Sequence, residues 1–112
     1  MNQYLVLLFF IISSCTYDEL LVVSSCETDT PLFSECIEPI ILNNCTSCHS
    51  YGGDGHTALD LSNYDNIQEA VLNGNVIERI NSINNPMPPS GKLSDLEIQI
   101  IEKWSQNGAL NN

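Results

Sequence analysis

Five residues, Cys45-Thr46-Ser47-Cys48-His49, constrain this chain more than any other stretch. Two cysteines three apart, followed at once by a histidine, match the attachment sequence of c-type haem. The spacing has a chemical reason. Two thiols add across the vinyl groups of the macrocycle and become thioethers, and the next residue, histidine, is held beneath the iron as one axial ligand. On this reading Cys45 and Cys48 form the thioethers of one covalent haem c, and His49 is its proximal ligand. The alternatives are a zinc half-site and a thioredoxin-like thiol pair. Zinc calls for further Cys or His ligands at finger-like spacing, and only His56 is near. A thioredoxin motif calls for strand-helix-strand context, which this sequence lacks.

The segment ahead of the motif reads as a delivery signal. Leu5 to Ile12 is a continuous apolar run, too short to span a bilayer and of the size of a signal-peptide core. It ends in Ile12-Ser13-Ser14-Cys15, small residues followed by cysteine, which resembles a lipoprotein signal with Cys15 as the lipid-modified residue. No basic residue precedes it. A second candidate, Val22-Val23-Ser24-Ser25-Cys26, would put Asp18 and Glu19 inside the apolar region, where charge is costly. An ordinary secretory signal and a membrane-anchoring helix are the remaining alternatives. Residues 1–14 are therefore expected as signal peptide, 15–31 as tether and 32–112 as one small folded domain. Of five cysteines, one is then assigned to lipid and two to haem, leaving Cys26 and Cys36. Export implies an oxidising compartment, so this pair is a candidate disulfide, with two free thiols as the alternative.

The net charge is −11, with only Arg79, Lys92 and Lys103 as cations. That balance argues against nucleic acid, which needs a basic footprint. It fits either a partner protein with a positive docking patch or an acidic surface that serves solubility alone.

Helical periodicity recurs along the domain. Ser34 is the expected N-cap of a first helix, with Glu35 and Glu38 in its first turn and Ile37, Ile40 and Ile41 on one face. Pro39 is tolerated because it lies near the start. This helix runs into Cys45. Gly52-Gly53-Asp54-Gly55 reads as a flexible loop whose glycines let backbone approach a flat cofactor. A helix is expected from Tyr64 to Asn73, with Ile67, Val71 and Leu72 inward and Gly74 following it. Another is expected from Val76 to Ser82, with Ile77 and Ile80 inward and Arg79 outward. Ser94 and Glu97 form an S-x-x-E capping box for a last helix that buries Ile98, Ile101 and Trp104 and stops at Gly108. No run alternates at period two, so the fold class is all-α, about four short helices.

Asn84-Asn85-Pro86-Met87-Pro88-Pro89 is excluded from helix and central strand by its prolines. Met87 is the only methionine after Met1. Methionine usually fills cores from helices or strands, so one held in a stiff loop reads as the sixth, distal ligand. A His/Met pair raises the potential of a c-type site. With both axial positions filled by protein, electron transfer is favoured over catalysis and the chain is not expected to be an enzyme. His56, close to His49 in the glycine loop, is the rival ligand. Arg79, Tyr64 and Trp104 are candidates for haem packing or for donors to its propionates.

From about Leu32 onward the chain resembles the small monohaem cytochrome c domains of exported bacterial proteins. The residues that carry the likeness are Ile37-x-Pro39-Ile40 before Asn44-Cys45-x-x-Cys48-His49, then Met87-Pro88, then Leu93-Ser94-Asp95 leading to Ile101-x-x-Trp104-x-x-x-Gly108-Ala109. With its leader, the chain is similar to free-standing cytochrome lipoproteins of Bacteroidetes type. The resemblance implies a class I-like cytochrome c fold, in which the helix before the motif packs on the last helix and haem lies between His49 and Met87. It also implies electron transfer with redox partner proteins, and a lipid anchor in the inner or outer membrane with the domain facing the periplasm or cell exterior. Many such domains have a proline soon after the motif whose carbonyl orients the proximal histidine. Residues 50–55 contain none, so the resemblance names no acceptor for His49. In similar lipoproteins a cysteine can follow the Ser-Asp pair; that position here is Leu96. Two other roles stay open: a haem enzyme or sensor in which Met87 dissociates to admit peroxide or a gas, and a haem subunit docked in a larger oxidoreductase.

Overall fold

Pro39 decides how the first helix is built. In a regular helix its ring would collide with the carbonyl four residues back, and it has no N–H to donate. The chain answers with one wide turn. Phe33–Ile37 is a π-helical turn in which the Glu38 N–H reaches back to the Phe33 carbonyl, and it continues into α1, Glu38–Asn44. The computed structural model describes residues 25–112; the expected leader 1–14, Cys15 and the first part of the tether lie outside the described residues. Three more helices follow: α2 Tyr64–Leu72, α3 Val76–Asn81 and α4 Asp95–Gln106. Among the described residues there is no strand, and no helix is long and apolar enough to cross a membrane. The fold class is all-α.

The first helix is not capped by Ser34. Its opening N–H groups are taken from the far end of the chain: Phe33 N–H donates to the Asn112 side-chain carbonyl at 2.9 Å, and Ser34 N–H to the Asn112 backbone carbonyl at 3.0 Å. The reversal that brings Asn112 there begins at Gly108 and Ala109, both with positive φ. The Ala109 carbonyl accepts from the Tyr64 hydroxyl at 2.7 Å and from Gln68 Nε2 at 3.0 Å, and the Leu110 carbonyl accepts from Trp104 Nε1 at 3.0 Å. Phe33, Tyr64 and Trp104 form one aromatic cluster, with Phe33 5.0 Å from Tyr64 and 5.6 Å from Trp104 between centroids. It ties the first turn, α2 and α4 together.

α4 follows its expected signals. Ser94 and Glu97 make the reciprocal capping box, and Ile98, Ile101 and Trp104 are buried, with Ile100 added. α2 is capped by Asn63, whose side chain accepts from Asn66 N–H. Its buried face is Ile67, Ala70 and Val71; Leu72, expected inward, is 43 % exposed. Ala70 and Val71 continue the 3.6-residue stripe from Ile67, and Leu72 lies one step off it.

The segment expected as a tether joins the domain from Cys26 onward. A disulfide links Cys26 to Cys36, both buried. Lys103 Nζ lies 3.5 Å from Asp29 Oδ1, and the Asn107 side chain donates to the Asp29 carbonyl. The bridge closes a loop over a sequence separation of 10, which in chain-entropy terms stabilises by roughly 2–3 kcal/mol. Cys26→Ala/Cys36→Ala is therefore expected to lower the thermal midpoint by about 10–20 °C, followed by circular dichroism without reductant. An unchanged midpoint would show that the bridge carries no stability.

Candidate functional site

The Cys45–His49 stretch is held by its own backbone. α1 ends at Asn44, and Cys45 N–H still donates to the Ile41 carbonyl at 2.9 Å. The Cys45 carbonyl then accepts from Cys48 N–H at 3.2 Å and His49 N–H at 2.9 Å. One turn thus separates Cys45 from His49, and both line the same cavity. Cys45 and Cys48 are not bridged to each other; Cys48 is exposed and outside that lining.

Residues 59–61 fix the histidine at two points. The Leu61 N–H donates to the His49 carbonyl at 2.7 Å, and His49 Nδ1 lies 2.9 Å from the Leu59 carbonyl. A carbonyl only accepts, so Nδ1 carries a proton, and in the neutral ring the lone pair is then on Nε2. This supplies the orienting acceptor that residues 50–55 do not. The glycine loop packs against the histidine rather than standing free. A β-carbon on Gly55 would lie 2.8 Å from His49 Cε1 and 2.9 Å from Nδ1, and one on Gly53 would run into the Cys48 carbonyl.

The opposite contribution comes from α3 and the proline-flanked loop. Met87 lines the cavity, as do Val76, Arg79 and Ile80. Arg79 was expected outward; it is half-buried, because its side chain reaches along the loop to the Asn85 carbonyl at 3.3 Å. The cavity measures about 410 Å³ and opens to solvent, with Leu59 and Leu61 completing mostly apolar walls. That is within the range of small-molecule and cofactor sites. Burial, with the Glu97 carboxylate adding to it, pushes the Cys45 thiol up to about 11. Beside the cavity, the Asp60 carboxyl is held below its ordinary range by the Ser62 side chain and backbone N–H.

The cavity therefore brings together Cys45, His49, Met87 and Arg79, but not Cys48 or three other expected residues. Tyr64 and Trp104 give their polar atoms to the chain reversal at Ala109 and Leu110 and pack in the aromatic cluster. Neither lines the cavity. His56 faces Asp60, 3.8 Å from its carboxylate, and meets the edge of Tyr51, also outside the lining. Among the described residues no three His, Cys, Asp or Glu side chains converge as a metal-holding group.

Sequence reasoning missed the Leu59 carbonyl, a backbone group with no side-chain signature. Comparison with family models, curated proteins and solved structures found no match, so the chemistry of this site is read from its own residues.

Proposed function

We propose that the chain is a single-haem c-type cytochrome with a class I-like fold, which passes electrons between redox partner proteins. The observation that carries this is the meeting of His49 and Met87, distant in sequence, on one largely apolar cavity whose wall also includes Cys45. The donor set fits the group. Cys45 and Cys48 supply thiols at the attachment spacing, His49 a nitrogen lone pair, and Met87 a thioether sulfur. When bound, haem supplies a one-electron ferric/ferrous couple. The chain's own residues do the rest. Leu59 sets the tautomer and angle of His49 and makes Nε2 a better donor, as an outer partner of a metal-ligating histidine does. Met87 would hold the group from the side away from His49 and would favour its reduced state. Leu59, Leu61, Val76 and Ile80 supply apolar walls against which the macrocycle would pack.

Two competing readings fit these residues less well. A reactive thiol at Cys45 would need a lowered pKa, whereas burial moves it the other way. A zinc site needs more Cys or His ligands than converge among the described residues. The Cys26–Cys36 disulfide fits an exported protein in an oxidising compartment. We extend the proposal to a lipid anchor at Cys15, with the domain facing the periplasm or cell exterior.

The test is an absorbance spectrum of exported protein, oxidised and reduced, for wild type and Met87→Ala. Wild type is expected to keep haem absorbance after denaturation and to show the sulfur-to-ferric-iron charge-transfer band. Met87→Ala is expected to lose that band completely and to fall in potential. A band that survives in Met87→Ala would remove Met87 as ligand. A denatured wild-type chain without haem absorbance would remove the whole reading.

A further inference from the structure

Prolines leave the Met87 segment few ways to be held. Of residues 86–89, only Met87 has a backbone N–H. That N–H donates to the Arg79 carbonyl at 3.1 Å, which also accepts from Ser82 N–H at 3.3 Å. The carbonyl lies in the last turn of α3, where helical carbonyls lack partners within the helix. One residue before Pro86, the Asn85 carbonyl accepts from Arg79 Nη1 at 3.3 Å, and the Asn85 N–H donates to Ser82 Oγ at 3.0 Å. Arg79 thus holds the loop twice, once through its backbone and once through its guanidinium. It is also the only Lys or Arg lining the cavity, and it sits where the α3 dipole favours a cation.

We propose that the Arg79 side chain is a positioning residue for Met87: by bracing Asn85 it holds the thioether at the cavity shared with His49. The proposal rests on Met87 being the second axial ligand. It assigns Arg79 a task different from pairing with an anionic group in the cavity, and the two tasks have different signatures. A brace controls whether sulfur stays on the iron. A charge alone tunes the potential and leaves ligation intact.

The experiment compares wild-type holoprotein with Arg79→Ala and Arg79→Lys. It reads the sulfur-to-ferric-iron band against temperature, the reduction potential, and amide exchange at Met87. Losing this exposed hydrogen bond of 3.3 Å is expected to raise the fraction with Met87 detached by about three- to tenfold. The band of Arg79→Ala should then weaken and vanish at a lower temperature than in wild type, with Met87 amide exchange faster by a similar factor. Arg79→Lys, which keeps a donor, should recover most of the band. A band and an amide that do not move in Arg79→Ala overturn the proposal, even if the potential shifts. If Arg79→Ala does not fold, Arg79→Met takes its place, keeping the apolar stem and removing the donor: a band that melts no earlier than in wild type overturns the brace. Absence of the band in wild type overturns the axial reading and this inference with it. Its presence there with no change in Arg79→Ala overturns this inference alone.

Discussion

Cys45→Ala/Cys48→Ala is expected to give a chain that holds no haem after denaturation and no longer unfolds in one cooperative step. The reason lies in the cavity walls. Leu59, Leu61, Val76, Ile80 and Met87 line about 410 Å³. The cavity is open to solvent, so without an occupant these apolar walls stand wet and lose the burial that would stabilise them, about 25 cal/mol per Å². A small domain has about 5–15 kcal/mol in total, so a loss of a few kcal/mol is a large share of the margin. The buried core is also modest, and domains of this size commonly need a staple. One staple is the Cys26–Cys36 bridge, which joins the N-terminal segment to the first turn but touches no wall of the cavity. On the proposed reading the other is the haem that would fill it. Circular dichroism against temperature checks this: the wild-type holoprotein should melt sharply and the double variant with a broad slope, accompanied by binding of a hydrophobic dye. A sharp transition in the double variant, close to wild type, would show that the helices hold the cavity open unaided.

What was legible in the sequence divides by distance along the chain. The Ser94/Glu97 capping box, the buried face of α4 and the stop at Gly108 were readable because each depends on residues within a few positions. The start of the first helix was not. Ser34 has the right chemistry for a cap, but the acceptors come from Asn112, 79 positions from Phe33, and no local pattern encodes them. Tyr64 and Trp104 show the same limit. Both are large, with one polar atom that needs a partner when buried, so either haem or backbone could satisfy them, and the chain reversal at Gly108 and Ala109 supplies backbone. At the site, Cys45, His49 and Met87 were identifiable by residue type and spacing. Their supports were not: the Leu59 carbonyl behind His49 and the Arg79 carbonyl behind Met87 are main-chain groups that any residue could carry. The ligand-like side chains were thus written in the sequence, whereas the atoms that aim them were set by the path of the chain.

On the proposed haem reading, Gly55→Ala is expected to detach His49 from the iron while leaving haem covalently attached. The added methyl would stand 2.8 Å from Cε1, 2.9 Å from Nδ1 and 3.2 Å from Nε2, against the ring itself. A flexible side chain would swing away at little cost, but this ring is fixed from behind by the Leu59 carbonyl at 2.9 Å, and its own carbonyl is held by Leu61 N–H. Overpacking of this kind costs about 1–3 kcal/mol or more. The same strain can be relieved by releasing the imidazole, which breaks the orienting hydrogen bond first. Attachment through Cys45 and Cys48 does not depend on the ring, so the expected product is a haem-loaded chain with an altered spin state that binds carbon monoxide when reduced, and that exogenous imidazole returns to the wild-type spectrum. Gly52→Ala is the matched control. Its φ is +87° and nothing lies within 4 Å of a β-carbon there, so it carries only the backbone penalty of a left-handed residue, about 1 kcal/mol, and should keep the wild-type spectrum. Gly53→Ala should be harsher than either, because its methyl meets the backbone carbonyl of Cys48, which cannot rotate aside without moving the attachment sequence. If Gly55→Ala kept a wild-type spectrum and refused carbon monoxide, the glycine loop would have no hold on the histidine, and the close packing between them would be incidental to ligation.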